Sequence, residues 1–159
     1  MKMTKVPQGE FAGWYTWPEE PFEHQTAGPF HYRRDDIGPV CAFRAEHKHL
    51  NSGGVMHGGC LMTFADFALF GIAHDEIGDD AYGLTVAFTA EFLDGPREGE
   101  YVEARGEILR AGGSLIFVRG LETGDWGLET GDWGLGTGDK LGLSVFKDKL
   151  CRLYVESFL

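Results

Sequence analysis

One carboxylate occupies an unusual place in this sequence. Asp66 is the only charged residue in the apolar segment from Cys60 to Ala73, where Thr63 is the only other strongly polar side chain. Burying an isolated carboxylate among leucine and phenylalanine side chains costs several kcal/mol unless partners compensate. Perturbed carboxylates concentrate at functional sites, so we predict that Asp66 does chemistry. The alternative is a carboxylate paired within the core.

The residues before this segment suggest what Asp66 could act with. The polar loop Asn51–Gly54 leads through His57-Gly58-Gly59 into the apolar segment. Glycine amides at a helix start are unpaired donors that favour an anion or a developing oxyanion. Asp66 follows Gly58 by about 12 Å along a helix axis, so one copy of the helix cannot easily bring both to one carbonyl group. Two antiparallel copies could, and we therefore hypothesise a site shared across a dimer.

The composition bounds the class of protein. A chain of 159 residues with 43% hydrophobic and 25% charged residues is typical of one soluble globular domain, here predicted over residues 1–159. The formal charge of −11 argues against a nucleic-acid partner, whose binding depends on phosphate neutralisation. Apolar runs are too short to span a bilayer, and the start of the sequence lacks a signal-peptide core. Three cysteines without metal-type spacing suit a reducing cytoplasm, where we expect the protein.

The periodicity predicts one long helix and an antiparallel sheet, an α+β fold. Residues 1–28 are interpreted as an N-terminal arm, short and helical or irregular, packed on the body. The helix is expected to stop near Gly78, after which Leu84, Val86, Phe88, Ala90 and Phe92 are expected to share one face of a strand. Strands are predicted at residues 30–34, 40–45, 84–92, 101–109 and 114–121, with a final strand at 141–146.

A tandem repeat interrupts this pattern between Gly120 and Lys140, reading GLETGDW, GLETGDW, GLGTGDK. Because seven is odd, a continuous strand would turn each repeated side chain to the opposite face, and the glycines disfavour a helix. We interpret residues 120–140 as a loop or hairpin extension. A calcium site at Asp125, Asp132 and Asp139 is the alternative, although the usual ligand pattern is absent.

Asn51, His57-Gly58-Gly59 and Asp66, at this spacing on an apolar helix, resemble the hotdog-fold acyl-CoA thioesterases. The branch is the one that includes the phenylacetate-pathway and 4-hydroxybenzoyl-CoA thioesterases. The similarity continues through the following strands and covers roughly residues 29–121. It implies a hotdog fold, with an antiparallel sheet wrapped around the long central helix, and homodimers or homotetramers with active sites at the subunit interface. It also implies an acyl-CoA substrate and no metal or redox cofactor.

The same resemblance implies roles for individual residues. The Gly58 amide would polarise the thioester carbonyl, with Asn51 helping to hold the carbonyl or the water. Asp66 of the other subunit would activate water as a general base or attack as a nucleophile, and Thr85 would orient the water. A carbonyl contact is expected for His57, and substrate contacts for Gly59, Phe67 and Phe70.

Simpler roles remain open for most of these residues. His57 could cap the helix, Asn51 could form a turn, and Thr85 could be an ordinary strand residue. The phenylalanines could belong to the core. A metal site at His47, His49 and His57 is a further alternative, since His47 and His49 would share a strand face.

Two other functions are alternatives to thioester hydrolysis. Hotdog hydratases have either an Asp with a His five residues later, or a His with a Glu fourteen residues later. Both positions, counted from Asp66 and His57, fall on Gly71, which speaks against a hydratase. A non-catalytic protein that binds acyl thioesters or acts as a scaffold is the remaining alternative.

Overall fold

Helix α1 (Gly58–Ile77) is the one long helix among the residues that the computed structural model describes, which are 2–78, 83–92, 94–113, 115–124 and 151–158. Its N-cap is His57, whose ring accepts a hydrogen bond from the Gly59 amide, satisfying one otherwise unpaired donor. It ends at Gly78, whose φ of 76° lies in the region that favours glycine. Both ends agree with the prediction.

Eight strands in the described residues form a single antiparallel sheet in the order β1-β2-β3-β4-β6-β7-β8-β5. The predicted α+β class is confirmed. The strands are β1 (Thr4–Lys5), β2 (Tyr15–Thr16), β3 (His31–Arg34), β4 (Pro39–Arg44), β5 (Leu84–Phe92), β6 (Tyr101–Gly112), β7 (Leu115–Gly124) and β8 (Cys151–Phe158).

The core lies between α1 and the sheet. Phe64 and Phe67 of α1 pack with Phe30 and Phe43 beside β3 and on β4, while Leu69 and Ile72 meet β7. The helix can approach β3 and β4 closely because residue 71 is glycine: a Cβ atom there would lie 2.5 Å from the Cys41 sulfur. Within the described residues, no helix combines the length and apolar character that a membrane crossing requires.

Strand β5 departs from the expected alternation. Phe88 and Ala90 pack towards Ala65 of α1, as expected, whereas Leu84 and Val86 are 64% and 58% exposed. The pairing with β8 shifts register between Thr85 and Ala87, so one extra residue enters the strand there. This β-bulge reverses the faces before it, and the prediction that Leu84 and Val86 share the face of Phe88 was wrong.

The two ends of the chain were predicted less well. The arm contributes strands β1 and β2 and a π-helical turn, Glu23–Ala27, which we call the arm turn. The repeat was expected to leave the sheet at Gly120, but β7 continues to Gly124 because it pairs with β6 as far as Val102. The rest of the repeat, with Asp125, Asp132 and Asp139, and the predicted strand at residues 141–146 lie outside the described residues. The final described strand is β8.

Candidate active site

Asp66 has a specific partner in the structure. The Thr85 hydroxyl donates a hydrogen bond to its Oδ1 atom. Asp66 projects from the middle of α1 and is half-buried, and Thr85 reaches it from β5. The two residues that the sequence singled out on separate elements are therefore in direct contact.

The bulge in β5 explains why Thr85 faces the helix. In a regular strand, Thr85 would lie on the same side as Ala87 and Thr89, which are exposed. The register shift after Thr85 turns it to the side of Phe88 instead. Bulges often re-aim a side chain beside a functional site, and this one supplies the hydroxyl that Asp66 binds.

Asp66 and Thr85 line a cavity of about 200 Å³. Asp66, Phe70, His74 and Ile77 are spaced by four, four and three residues and so lie on one face of α1. The cavity has both apolar and carboxyl-bearing walls. Its side chains come from the arm (Trp17, Glu20 and Glu23), from α1 (Asp66, Phe70, His74 and Ile77) and from β5 (Leu84 and Thr85).

Two opposing effects act on the protonation of Asp66. Burial raises the pKa of its carboxyl group, because the charged form loses hydration, and the Thr85 hydrogen bond lowers the pKa by stabilising the carboxylate. Burial is the larger effect, so the pKa lies above the usual value of an aspartate. A carboxylate with a raised pKa is a stronger base than an exposed one.

Glu23 is a member of this cavity that the sequence interpretation missed. It begins the arm turn, and burial raises its pKa to about 8, with the negative charges of Asp66 and Glu20 adding to the shift. The arm carries no periodic pattern that would have placed Glu23 beside α1. His74 was also missed, although its spacing of eight residues from Asp66 puts it on the same helix face.

The start of α1 is organised by His57. Its Nδ1 atom accepts the Gly59 amide at 2.9 Å, so the proton of the neutral ring is on Nε2. His57 therefore caps the helix, and the Gly59 amide is occupied by this hydrogen bond. The Gly58 amide is the first of the helix and has no acceptor in the described residues. Neither glycine nor His57 lines the cavity of Asp66 in the same chain.

Asn51 shapes the loop before the helix. Its side-chain oxygen accepts the Gly53 amide at 2.8 Å, and its backbone bonds to Gly54 and Val55 close the turn. This is the turn-forming role that asparagine often takes. The loop lies at the helix end that carries Gly58, away from the described walls of the cavity, so a contact of Asn51 with the carbonyl stays a prediction.

The two phenylalanines expected to bind substrate have different positions. Phe70 lines the cavity and is partly buried. Phe67 is only 2% exposed and lies in the core, where its ring meets Trp17 edge-on at 4.9 Å. Phe67 therefore supports Trp17, which in turn lines the cavity.

The sequence predicted that His47 and His49 share a strand face, and this was wrong. They lie in one 3₁₀ turn, His47–His49. His49 uses both ring nitrogens, accepting the Glu46 amide at 2.8 Å and contacting the Ala27 carbonyl oxygen at 2.7 Å. His47 lies 3.4 Å from Glu98 at the surface. Across the described ranges, no group of three or more metal-binding side chains converges.

Comparison with known proteins bears on the central part of the chain. Residues 53–121 match the sequence model of the Thioesterase superfamily. The chain is 34% identical over 83 residues to a predicted esterase of Pseudomonas aeruginosa, a match that covers 51% of this chain. It spans 61% of the length of that relative.

Solved structures match the fold over most of the chain. A predicted thioesterase of Ralstonia eutropha JMP134, related to phenylacetic acid degradation, superposes with a TM-score of 0.64 at 17% identity, covering 88% of this chain and 91% of that one. A hypothetical thioesterase protein of Streptococcus pneumoniae TIGR4, solved with coenzyme A, gives a TM-score of 0.56 at 16% identity, covering 81% of this chain and 84% of that one. The resemblance found in the sequence is confirmed: residues 53–121 match the Thioesterase superfamily model, and the chain has the hotdog fold of the solved structures.

Proposed function

We propose that this protein hydrolyses acyl-CoA thioesters to a free acid and coenzyme A. The observation that carries the proposal is the Asp66 carboxylate, which lies in a cavity of suitable size and is bound by the Thr85 hydroxyl. The superfamily match of residues 53–121 and the coenzyme A in the streptococcal structure support it.

Asp66 can serve the reaction in two ways. As a general base, it takes a proton from water while the water oxygen bonds to the carbonyl carbon; the carbon–sulfur bond then breaks, and the thiolate recovers a proton. As a nucleophile, it forms an anhydride and releases the thiolate, and water then cleaves the anhydride. Both routes give the same acid and thiol, and both need an ionised Asp66.

The oxyanion formed at the carbonyl requires donors such as the Gly58 amide, which does not line the cavity of Asp66 in the described part of one chain. Gly58 and Asp66 lie on the same helix, eight residues and therefore about 12 Å apart along the axis. We propose that a second copy, with its helix antiparallel, supplies its Gly58 amide and the Nε2 proton of its His57 to the carbonyl held beside Asp66.

The exposed surface around β5 suits such a second copy. Strand β5 stands at one edge of the described sheet, where its free backbone groups can pair with another strand. Leu84 and Val86 are exposed on it, and Met62 of α1 is 45% exposed. Covering these side chains would join two sheets side by side in a homodimer, and two such dimers would make a homotetramer.

A turnover assay tests the hydrolase. Purified protein is incubated with short, medium and aromatic acyl-CoAs, and released thiol is trapped by a dye. Asp66→Asn and Asp66→Ala should each reduce kcat at least about 100-fold while circular dichroism shows a retained fold. Thiol release that survives Asp66→Ala would rule out Asp66, and tight binding without turnover by the wild type would instead indicate a non-catalytic acyl-thioester-binding protein.

A further inference from the structure

The cavity of Asp66 has a second wall that the reaction itself does not require. Trp17, Glu20 and Glu23 of the arm face α1 across the cavity. If thioester cleavage occurs at Asp66, the acyl group must lie in this cavity, between α1 and the arm. An apolar cavity of about 150 Å³ holds one benzene ring, so the 200 Å³ observed here admits a short alkyl chain or a single ring.

The arm turn that carries Glu23 is fixed at both ends. Before it, Trp17 packs on Phe67, and the Thr16 hydroxyl bonds to the His24 ring at 2.9 Å. After it, the Ala27 carbonyl oxygen contacts His49 at 2.7 Å. Glu23 is therefore held at the cavity, where an incoming acyl group would cover it.

The surroundings of Glu23 disfavour a negative charge. Asp66 and His74 of α1 and Glu20 of the arm line the same cavity, and the Cys41 thiol of β4 is close enough for Glu23 to influence its pKa. The described lining residues include no lysine or arginine. Burial and the charges of Asp66 and Glu20 raise the pKa of Glu23 to about 8, so Glu23 is mostly neutral at neutral pH.

We propose that Glu23 is a substrate-binding residue of the acyl pocket, which accepts an apolar acyl group only while its carboxyl group is protonated. A neutral carboxyl group loses little when an apolar group displaces water from it, whereas an ionised one loses hydration, and the described lining residues offer no lysine or arginine in its place. Protonated Glu23 also leaves Asp66 as the anion of the pair, the form that the reaction needs. This role rests on the proposed function, because it identifies the cavity as the acyl pocket.

The proposal predicts a dependence of acyl binding on pH. Above about pH 8, the affinity for the acyl part should fall by up to about tenfold per pH unit, since one proton must be taken up on binding. The effect should appear in KM and leave kcat nearly unchanged. Coenzyme A without an acyl group should not show it.

Binding of a non-hydrolysable thioether, S-hexyl-CoA, tests this without turnover. Its Kd is measured by calorimetry from about pH 7 to pH 9.5 for the wild type, for Glu23→Gln and for Glu23→Leu, with free coenzyme A as the reference ligand. The wild type should lose about tenfold in affinity per pH unit above pH 8, and both variants should give a flat profile. Glu19→Gln, at an exposed arm position outside the cavity, should keep the wild-type profile.

Two results would overturn the proposal: equal profiles for the wild type and either folded Glu23 variant, or a wild-type Kd that is flat to pH 9.5. If both variants fail to fold, the wild-type glutamate carboxyl groups are titrated by carbon-13 NMR with and without S-hexyl-CoA. The absence of a carboxyl group that titrates near pH 8 and shifts on binding would also overturn the proposal. These outcomes do not depend on hydrolysis. Loss of turnover in the Asp66 variants bears on the reaction, and the thioether profile bears on Glu23.

Discussion

Thr85 donates a hydrogen bond to Asp66 from the one part of β5 where the strand is irregular. The contact joins an edge strand to the middle of α1. It also opposes the burial that raises the pKa of Asp66, because it stabilises the ionised carboxylate. A change in this single bond should therefore be visible in the pH dependence of turnover.

Thr85→Val should lower kcat about tenfold and move the acid limb of kcat/KM to higher pH. The reason is that the lost hydrogen bond is the contact that lowers the pKa of Asp66, so the carboxylate becomes protonated at a higher pH. The measurement is a pH–rate profile from about pH 4 to pH 8. Thr89→Val, an exposed position on the same strand, is the matched control. An acid limb that moves to lower pH would contradict this assignment.

Gly58→Pro should reduce kcat by about 10² to 10³-fold, because proline removes the amide that we assign to the oxyanion. Proline is tolerated at the first position of a helix, and the extended backbone of His57 (ψ 131°) is compatible with a following proline. Gly58→Ala keeps the amide and should stay active, since its Cβ atom would meet only the Phe92 ring at 3.8 Å. Steady-state kinetics on both variants distinguishes loss of the amide from loss of space.

A mixed dimer of Gly58→Pro and Asp66→Asn chains should recover activity that neither variant has alone. If each site takes Gly58 from one chain and Asp66 from the other, a mixed dimer has one intact site. Random assembly then gives about a quarter of the wild-type activity, and the purified mixed dimer about half. The measurement uses two affinity tags and co-expression. A site built within one chain would show no recovery.

Gly71→Ala should lower stability by about 1–3 kcal/mol. The added methyl group would lie 2.5 Å from the Cys41 sulfur and 3.1 Å from the Tyr32 ring, so the helix or the sheet must move. Thermal unfolding should show a Tm lower by several degrees, and the loss should be smaller when Cys41 is also alanine. Gly112→Ala, where nothing lies within 4 Å of the added atom, should change the Tm little.

The ion pair of Asp35 and Arg105 should make stability depend on pH. Arg105 donates to both carboxylate oxygens at 3.1 and 2.7 Å, and with the Ile37 and Gly38 amides it holds the pKa of Asp35 well below its usual value. A lowered carboxyl pKa stabilises the fold above the unfolded-state value of 3.8, and this stability is lost as pH falls through the folded-state value.

Asp35→Asn should therefore cost about 1–3 kcal/mol near neutral pH and progressively less below about pH 4. Urea denaturation at a series of pH values measures the difference. Asp36→Asn, on the exposed neighbouring residue, should behave as the wild type at each pH. A penalty for Asp35→Asn that grows on acidification would contradict the ion pair.

Regular elements followed from the sequence because local patterns determine them. The apolar run between His57 and Gly78 has a capping residue before it and a positive-φ glycine after it, and α1 has these limits. Strands β4, β5 and β6 begin within one residue of their predicted starts, since turn-forming residues separate them. Asp66 stood out for the same reason, as a charge against an apolar background.

The contacts across the cavity did not follow from local patterns. The bulge in β5 depends on its pairing with β8, a strand of the C-terminal region that the repeat separates from the rest of the domain. Glu23 reaches the cavity because Trp17 packs on Phe67, a contact between residues 50 positions apart. Periodicity within one element contains no information on such pairings.

Strand β5 has its described backbone partner only in β8, which is inserted between β5 and β7. Residues 84–92 therefore leave the ribosome some 60 positions before the strand that fixes their register. A chain lacking Cys151–Phe158 would lose the described pairing that sets the bulge beside Thr85 and, with it, the position of the Thr85 hydroxyl against Asp66. The position of the Thr85 hydroxyl against Asp66 thus depends on a strand that is synthesised after both residues.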